Sequence, residues 1–429
     1  MKYAPIDPQL FIDNRRRLAA RLKPNSIAIV HAADVLPRSA DGVIPFIQNS
    51  DLFYLTGVDQ EETILLLYPD AAEPKYREVL FLRETNEQVR TWEGDKLTKE
   101  QARQATGIQT VLWTQEWAQQ LRTLALQAEC ICLPLNEHPR AVIELETRET
   151  RFVRQCREMF PLHRYERLAP LLYELRCVKS DTELSLIRQA IDATDAGFRR
   201  LLGFIRPGVW EYEIEAELAH EWLRRRSRGF AYPPIIASGE NACVLHYVAN
   251  DRQCQDGDLV LLDVAAEYAN YNSDLTRTVP VNGKFTPRQR QVYDAVLRVL
   301  RECFQLLQPG VLLRDYQKKV EKLMEQELIR LNLLDAAEVA KQDPEKPLLK
   351  KYFPHGTSHH LGLDVHDVAP PNFALRPGMV LTVEPGIYIR EEQLGVRLEN
   401  DVLITEDGVV DLMAHIPIEA SDIEALMNG

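Results

Sequence analysis

"LRCVKSDTELSLIRQAIDATDAGFRRLLGFIRPGV" (residues 175–209) and "RQRQVYDAVLRVLRECFQLLQPGV" (residues 288–311) end on one tripeptide, repeated 102 residues apart. In the first, Ser180 and Glu183 have the spacing of a capping box. Leu184, Ile187, Ile191, Phe198, Leu201, Leu202 and Ile205 then hold a helical stripe until Pro207-Gly208 stops it. In the second, Thr286 is placed to cap a helix whose first residue is Pro287. The same offset lays Arg188-Gln189-Ala190-Ile191-Asp192-Ala193 over Arg290-Gln291-Val292-Tyr293-Asp294-Ala295. Each tripeptide precedes another amphipathic helix, beginning at Trp210 and at Leu312. The carboxy-terminal part of the chain therefore reads as a duplicated α–turn–α–β unit.

Each half ends in a β-hairpin. The first is "DLVLLDVAAEYANYNSDLTRTVPVNG" (258–283); a turn centred near Tyr268-Ala269 would set Asp263 opposite Asp274. The second, "MVLTVEPGIYIREEQLGVRLENDVLIT" (379–405), carries Glu384 outward and Glu399 on the return. Strand alternation puts Arg397 on the face of Glu399, with Val396 and Leu398 on the other. "LVLLDV" is too apolar for a wet strand, so Asp263 is not a surface charge. Two like charges at 4 Å repel by about 4 kcal/mol at an effective dielectric near 20. Four carboxylates on inward faces thus require protons, arginines or divalent cations.

"HGTSHHLGLDVHD" (355–367) supplies nitrogen. His355 and His359 are four apart, but the glycines, Thr357 and Ser358 make a poor helix, and no HExxH glutamate is present. In an extended segment His355, Thr357 and His359 point one way, so the histidine loop is one corner of a larger site.

Outward from this core, the first 170 or so residues alternate strands with helices, as an α/β domain does: "SIAIVHAA" (26–33), "TILLLYP" (63–69) and "EVLFLRE" (78–84) read as buried strands. Residues 99–107 and 114–129 read as helices, and a charged helical stretch from Ala141 to about Arg167 as a connector. The boundaries expected are 1–172 and 173–429, in keeping with a 429-residue chain. A net charge of −13 gives no attraction to nucleic acid or anionic membranes. Arg15-Arg16-Arg17 and Arg224-Arg225-Arg226 read as wet helix faces. Seven cysteines without a CxxC pair, no apolar signal core and no 18-residue apolar run imply a reduced, cytoplasmic protein.

The series Asp263, Asp274, His359, Glu384, Glu399 is similar to the five-ligand signature of the M24 metallopeptidases, whose catalytic domain has the duplicated, creatinase/aminopeptidase-like pita-bread fold. "HGTSHHLGLDVHD", "EPGIY" and "VRLEND" resemble motifs of the aminopeptidase P and prolidase branch. "RSADGVIPFIQNSDLFYLTG" resembles the aminopeptidase P amino-terminal domain. The resemblance implies two divalent ions, with Asp263 and Asp274 on one, His359 and Glu384 on the other, and Asp274 and Glu399 bridging. Four oxygen donors to one imidazole favour Mn²⁺, with Co²⁺ or Zn²⁺ as substitutes. It further implies that Glu384 is the general base for a bridging hydroxide, with His246 and His366 beside the substrate carbonyl. His355 and Tyr232 would line the pocket, and Tyr388 and Arg397 would hold the carboxylates. Trp92 would come from a neighbouring subunit of a homodimer or homotetramer. His360 stands where this branch commonly has tryptophan, and is expected to pack or to stand partly exposed. The implied reaction is hydrolysis of the Xaa-Pro bond at the amino terminus of peptides with proline second. The rival readings are an Xaa-Pro dipeptidase and a metal-free peptide-binding scaffold of the same fold.

Overall fold

The computed structural model describes residues 3–141 and 144–429, and the chain forms two compact units, Tyr3–Arg176 and Cys177–Gly429. The first unit is built on a six-stranded sheet of β1 (Ser26–His31), β2 (Ile64–Leu67), β3 (Glu78–Leu82), β4 (Thr110–Trp113), β5 (Cys130–Leu133) and β6 (Arg164–Arg167), in spatial order β4-β3-β2-β1-β5-β6. β1 runs antiparallel to β2 and parallel to β5, and all six of its residues are buried, on both faces of the sheet, which explains its apolar run. Ile27, Ile29, Leu66, Phe81, Leu124, Ile131 and Phe152 meet in the core.

The structure departs from two expectations. Within the stretch read as a connector, Val142 and Ile143 lie outside the described residues. The rest is the helix Arg148–Met159, which buries Phe152 and Cys156, followed by β6 at the sheet edge. That edge strand reads Arg-Tyr-Glu-Arg, so no apolar alternation announces it. Arg15 is not on a wet face: it is fully buried, donating to the Leu55 and Thr106 carbonyls and to Glu78. All seven cysteines are buried free thiols. Among the described residues no helix is long and apolar enough to cross a membrane.

The second unit repeats its plan. Helices Asp181–Leu202 and Glu211–Arg224 lead to β7 (Ile235–Ser238), β8 (Leu259–Asp263) and β11 (Thr276–Pro280), joined in the order β11-β8-β7. Between β8 and β11 lie the short strands β9 (Glu267–Tyr268) and β10 (Tyr271–Asn272). Helices Pro287–Leu306 and Leu313–Arg330 lead to β12 (Val380–Val383), β15 (Asn400–Thr405) and β16 (Gly408–Asp411), with the β13 (Gly386–Ile389)–β14 (Leu394–Arg397) hairpin between β12 and β15. Both capping boxes, Ser180/Glu183 and Thr286/Gln289, are formed. The first helix ends at Leu202 with Gly203 as its cap, short of the expected stop at Pro207-Gly208; Gly208 and Gly310, at φ 92° and 86°, instead turn the chain between the two helices of each half, a conformation that suits glycine. The Gly208 N–H donates to the Cys254 carbonyl at 2.9 Å and that of Gly310 to Leu375 at 2.8 Å. The repeat extends from pattern to hydrogen bonds.

Candidate metal centre

β8 reaches the site because Leu259–Leu262 are all buried, and Asp263 ends the strand at the margin of that apolar layer. Its hairpin differs from the expected register. The turn is Ala269-Asn270, both with positive φ (54° and 65°), as a two-residue hairpin loop of the primed type requires. Asp263 is therefore paired with Thr276 rather than Asp274. A shift of two residues preserves the face, so Asp274 stays on the side of Asp263, one diagonal step away. In the second hairpin, Val383 pairs with Asn400 and Gly386 with Arg397. Glu384 and Glu399 occupy the break between these ladders. His359 runs beside β12: its carbonyl accepts from Thr382 N–H (3.0 Å), and the Thr357 carbonyl accepts from Glu384 N–H (2.8 Å).

The acids converge. Ligand atoms of Asp274, His359 and Glu399 lie within 4.8 Å of one another. Nε2 of His359 is 3.6 Å from Asp274 Oδ2 and 3.7 Å from Glu384 Oε1. Asp263 joins through Tyr232, whose hydroxyl is 2.7 Å from Asp263 Oδ1 and 2.6 Å from Asp274 Oδ1. Burial first, and the neighbouring carboxylates next, push Asp274 and Glu399 well above the usual carboxylate range. One phenolic proton cannot serve two anions, so the second Tyr232 contact needs a proton on a carboxyl or a cation in its place. Arg397 is the counter-charge in contact: Nη2 donates to Asp263 Oδ2 at 2.6 Å. Burial opposes its charge, but Tyr388, Asp263, Glu384 and Glu399 outweigh that and hold it protonated. One guanidinium leaves most of the negative charge unmatched. Three carboxylates in excess beside an imidazole nitrogen are what hard to borderline divalent cations bind.

Around this centre, Tyr388 accepts from Arg397 Nη1 (2.8 Å) and lies 2.8 Å from His355 Nε2, while His355 Nδ1 is 2.7 Å from the Gly356 carbonyl. With Nδ1 donating to a carbonyl, Nε2 accepts from Tyr388. Burial above all, then Arg397, lowers the His355 pKa to about 3, so it is a neutral ring with both nitrogens engaged. Tyr388 thus reaches the acids through Arg397 rather than directly. His366 is exposed, with its ring centroid 4.3 Å from that of His359 and nearly perpendicular to it. His246 is exposed on the segment after β7. His360 is buried, the packing alternative of the two, and its Nδ1 has no partner among the described residues. Trp92 belongs to the other unit, on the helix Glu87–Glu93, and is 81 % exposed.

Two contributors escape a reading by motif. Thr276 donates to Glu399 Oε2 at 2.6 Å, and Asp401, fully buried, accepts from the Asp274 N–H at 3.1 Å. Period-two counting from Glu399 would have found Asp401. Thr276 gave no chemical signal, because it depends on the shifted register.

The carboxylate cluster on two repeated hairpins defines a metallopeptidase of the pita-bread fold. The profile of metallopeptidase family M24 matches residues 185–406, and that of the aminopeptidase P amino-terminal domain matches residues 11–132. The chain belongs to metallopeptidase family M24. It is 36 % identical to the Xaa-Pro aminopeptidase of Escherichia coli (strain K12), over 98 % of each chain. It also resembles a solved structure of Escherichia coli aminopeptidase P, a glutamate-to-alanine variant in complex with substrate (TM-score 0.88, 34 % identity, 99 % of each chain). A third likeness is the proline aminopeptidase P II of Yersinia pestis (TM-score 0.87, 36 % identity, 98 % of this chain and 99 % of that one).

Proposed function

We propose that the chain is a metal-dependent Xaa-Pro aminopeptidase that removes the first residue of peptides whose second residue is proline. The observation that carries this is the excess of carboxylates around His359 on two facing hairpins. Asp263, Asp274, His359, Glu384 and Glu399 would hold two divalent ions, Mn²⁺ by donor chemistry. When bound, such ions supply Lewis acidity and a water of lowered pKa.

The chain's own groups do the rest. Glu384 accepts the proton of the attacking water and returns it to the proline nitrogen as the C–N bond breaks. His366 and His246 donate to the carbonyl oxygen as it gains charge. His355, with both nitrogens engaged, offers its ring to the proline side chain. Arg397 holds Asp263, and Thr276 holds Glu399, against reorientation. Tyr232 fixes the spacing of Asp263 and Asp274. The exposure of Trp92 supports a place for it in the site of a neighbouring subunit, within a homodimer or homotetramer. Free, buried thiols fit a cytoplasmic setting.

Xaa-Pro-Xaa tripeptides and Xaa-Pro dipeptides, assayed side by side after Mn²⁺ loading, test the reading. Tripeptide turnover with close to two metal equivalents per chain is expected. Turnover of dipeptides alone would make it a dipeptidase, and none with either would favour a binding scaffold.

A further inference from the structure

Outside the residues assigned above lies a charged pair sunk in the protein. Lys179 Nζ is 2.9 Å from Asp367 Oδ2, and both side chains are 1 % exposed. A buried ion pair is often no more stabilising than apolar residues of similar volume, so stability alone does not account for it. Its position does. Lys179 precedes the helix Asp181–Leu202, and its N–H donates to the Gly378 carbonyl at 2.8 Å, tying it to the start of the second hairpin. Asp367 immediately follows His366. The segment between is closed on itself: Asp367 N–H donates to the His360 carbonyl at 2.8 Å, and Gly362 N–H to that of Asp364 at 3.1 Å. Asn272, two residues before Asp274, donates through Nδ2 to the Gly362 and Leu363 carbonyls at 3.1 and 3.0 Å. A Cβ on Gly362 would come within 2.1 Å of Asp367 Oδ2 and 2.9 Å of Lys179 Cε. The loop is shaped around the pair.

We propose that the buried Lys179–Asp367 pair is a positioning device, fixing the 360–367 loop so that the exposed His366 ring stands against His359 and reaches the substrate carbonyl. This rests on reading His366 as the donor to that oxygen. Lys179 and Asp367 touch no reacting atom; they act through the histidine. A displacement of about 1 Å in such a donor can lower turnover by about 100-fold.

The test replaces the pair with apolar residues, Lys179→Met with Asp367→Leu, in the full chain and again with His366→Ala. Tripeptide kcat and KM at saturating Mn²⁺, bound metal and Tm are read for each. The expected result is a kcat about 10- to 100-fold lower with KM, metal content and Tm retained, and no further loss in the His366→Ala background. An equal loss in both backgrounds would overturn the proposal, as would an unchanged kcat in the folded double variant. Full activity of His366→Ala alone would instead refute the donor reading, and the proposal with it. Should the apolar pair not fold, Lys179→Arg is expected to keep most of kcat. Asp367→Asn is expected to lose it with the same dependence on His366, and the opposite pattern would overturn the proposal.

Discussion

The two halves of the second unit share a backbone plan and divide the chemistry. Gly257 and Gly378, at φ 84° and 89°, turn the chain into β8 and β12, and Asp263 and Glu384 each lie six residues farther on. These equivalent acids meet different surroundings. Both Asp263 oxygens are hydrogen-bonded, one to Tyr232 and one to Arg397. Glu384 instead stands 3.7 Å from His359 and 3.8 Å from His355. The Asp263 carboxylate is locked, and Glu384 faces the two imidazoles with no such clamp from Arg397 or Tyr232. The repeat supplied a symmetric pair of acids, and the proposed function gives one to holding metal and the other to proton transfer.

The largest expected effect tests that division directly. Glu384→Gln should leave a defect on the order of 10²–10⁴-fold in kcat at saturating Mn²⁺, because the amide cannot accept a proton. Asp263→Asn should lose metal affinity yet recover most activity once metal saturates. Titration of both variants with Mn²⁺ before assay separates the roles; matching behaviour would erase the distinction between the two acids.

Next comes Arg397, which reaches from the second half to the first-half acid. Arg397→Met leaves the half-buried Asp263 without its cationic partner, and should lower unfolding free energy by about 1–3 kcal/mol. Adding Asp263→Asn should return part of it. Chemical denaturation of the metal-free single and double variants measures both values, and an undiminished loss in the double variant would contradict the pairing.

The smallest effect concerns pH. His355 titrates at about 3 in the folded protein against 6.5 in the unfolded chain. Below 6.5 the unfolded chain gains a proton that the folded one resists. The stability due to the neutral ring is therefore complete above 6.5 and lost as pH falls towards 3. By linkage this amounts to at most about 1.4 kcal/mol for each pH unit crossed. His355→Phe should flatten the denaturation-midpoint profile between pH 6 and 4 relative to the native chain; an unchanged slope would show that the ring is not held neutral.

Much of this was legible in the sequence because it rests on local rules. The helix caps at Ser180 and Thr286 and the apolar run before Asp263 each follow from neighbours in the chain, whereas the first helix stopped at Leu202, ahead of the proline and glycine that marked its end. The five acidic and imidazole groups could be collected because strand alternation fixes a face whatever the register. Register itself was not legible: nothing in Tyr268-Ala269-Asn270 shows which two residues take positive φ, and the turn settled on Ala269-Asn270. The strand Arg164–Arg167 was hidden by its polar edge, and Arg15 by its place in a basic triplet. Lys179 and Asp367 are 188 positions apart, beyond any local signal.

The contacts between the two hairpins run in reciprocal fashion. Thr276, two residues beyond Asp274, donates to Glu399; Asp401, two residues beyond Glu399, accepts from the backbone of Asp274. Residue i meeting j′ while i′ meets j is the grammar of a twofold interface between identical subunits. The second unit is thus laid out as a dimer whose partners share one chain. In a true dimer every substitution would strike both sides of the axis at once. Joining the partners removed that constraint, and a histidine could enter one side without its twin: His355 and His359 stand in the second half, whereas His246 and His366 are divided between the halves.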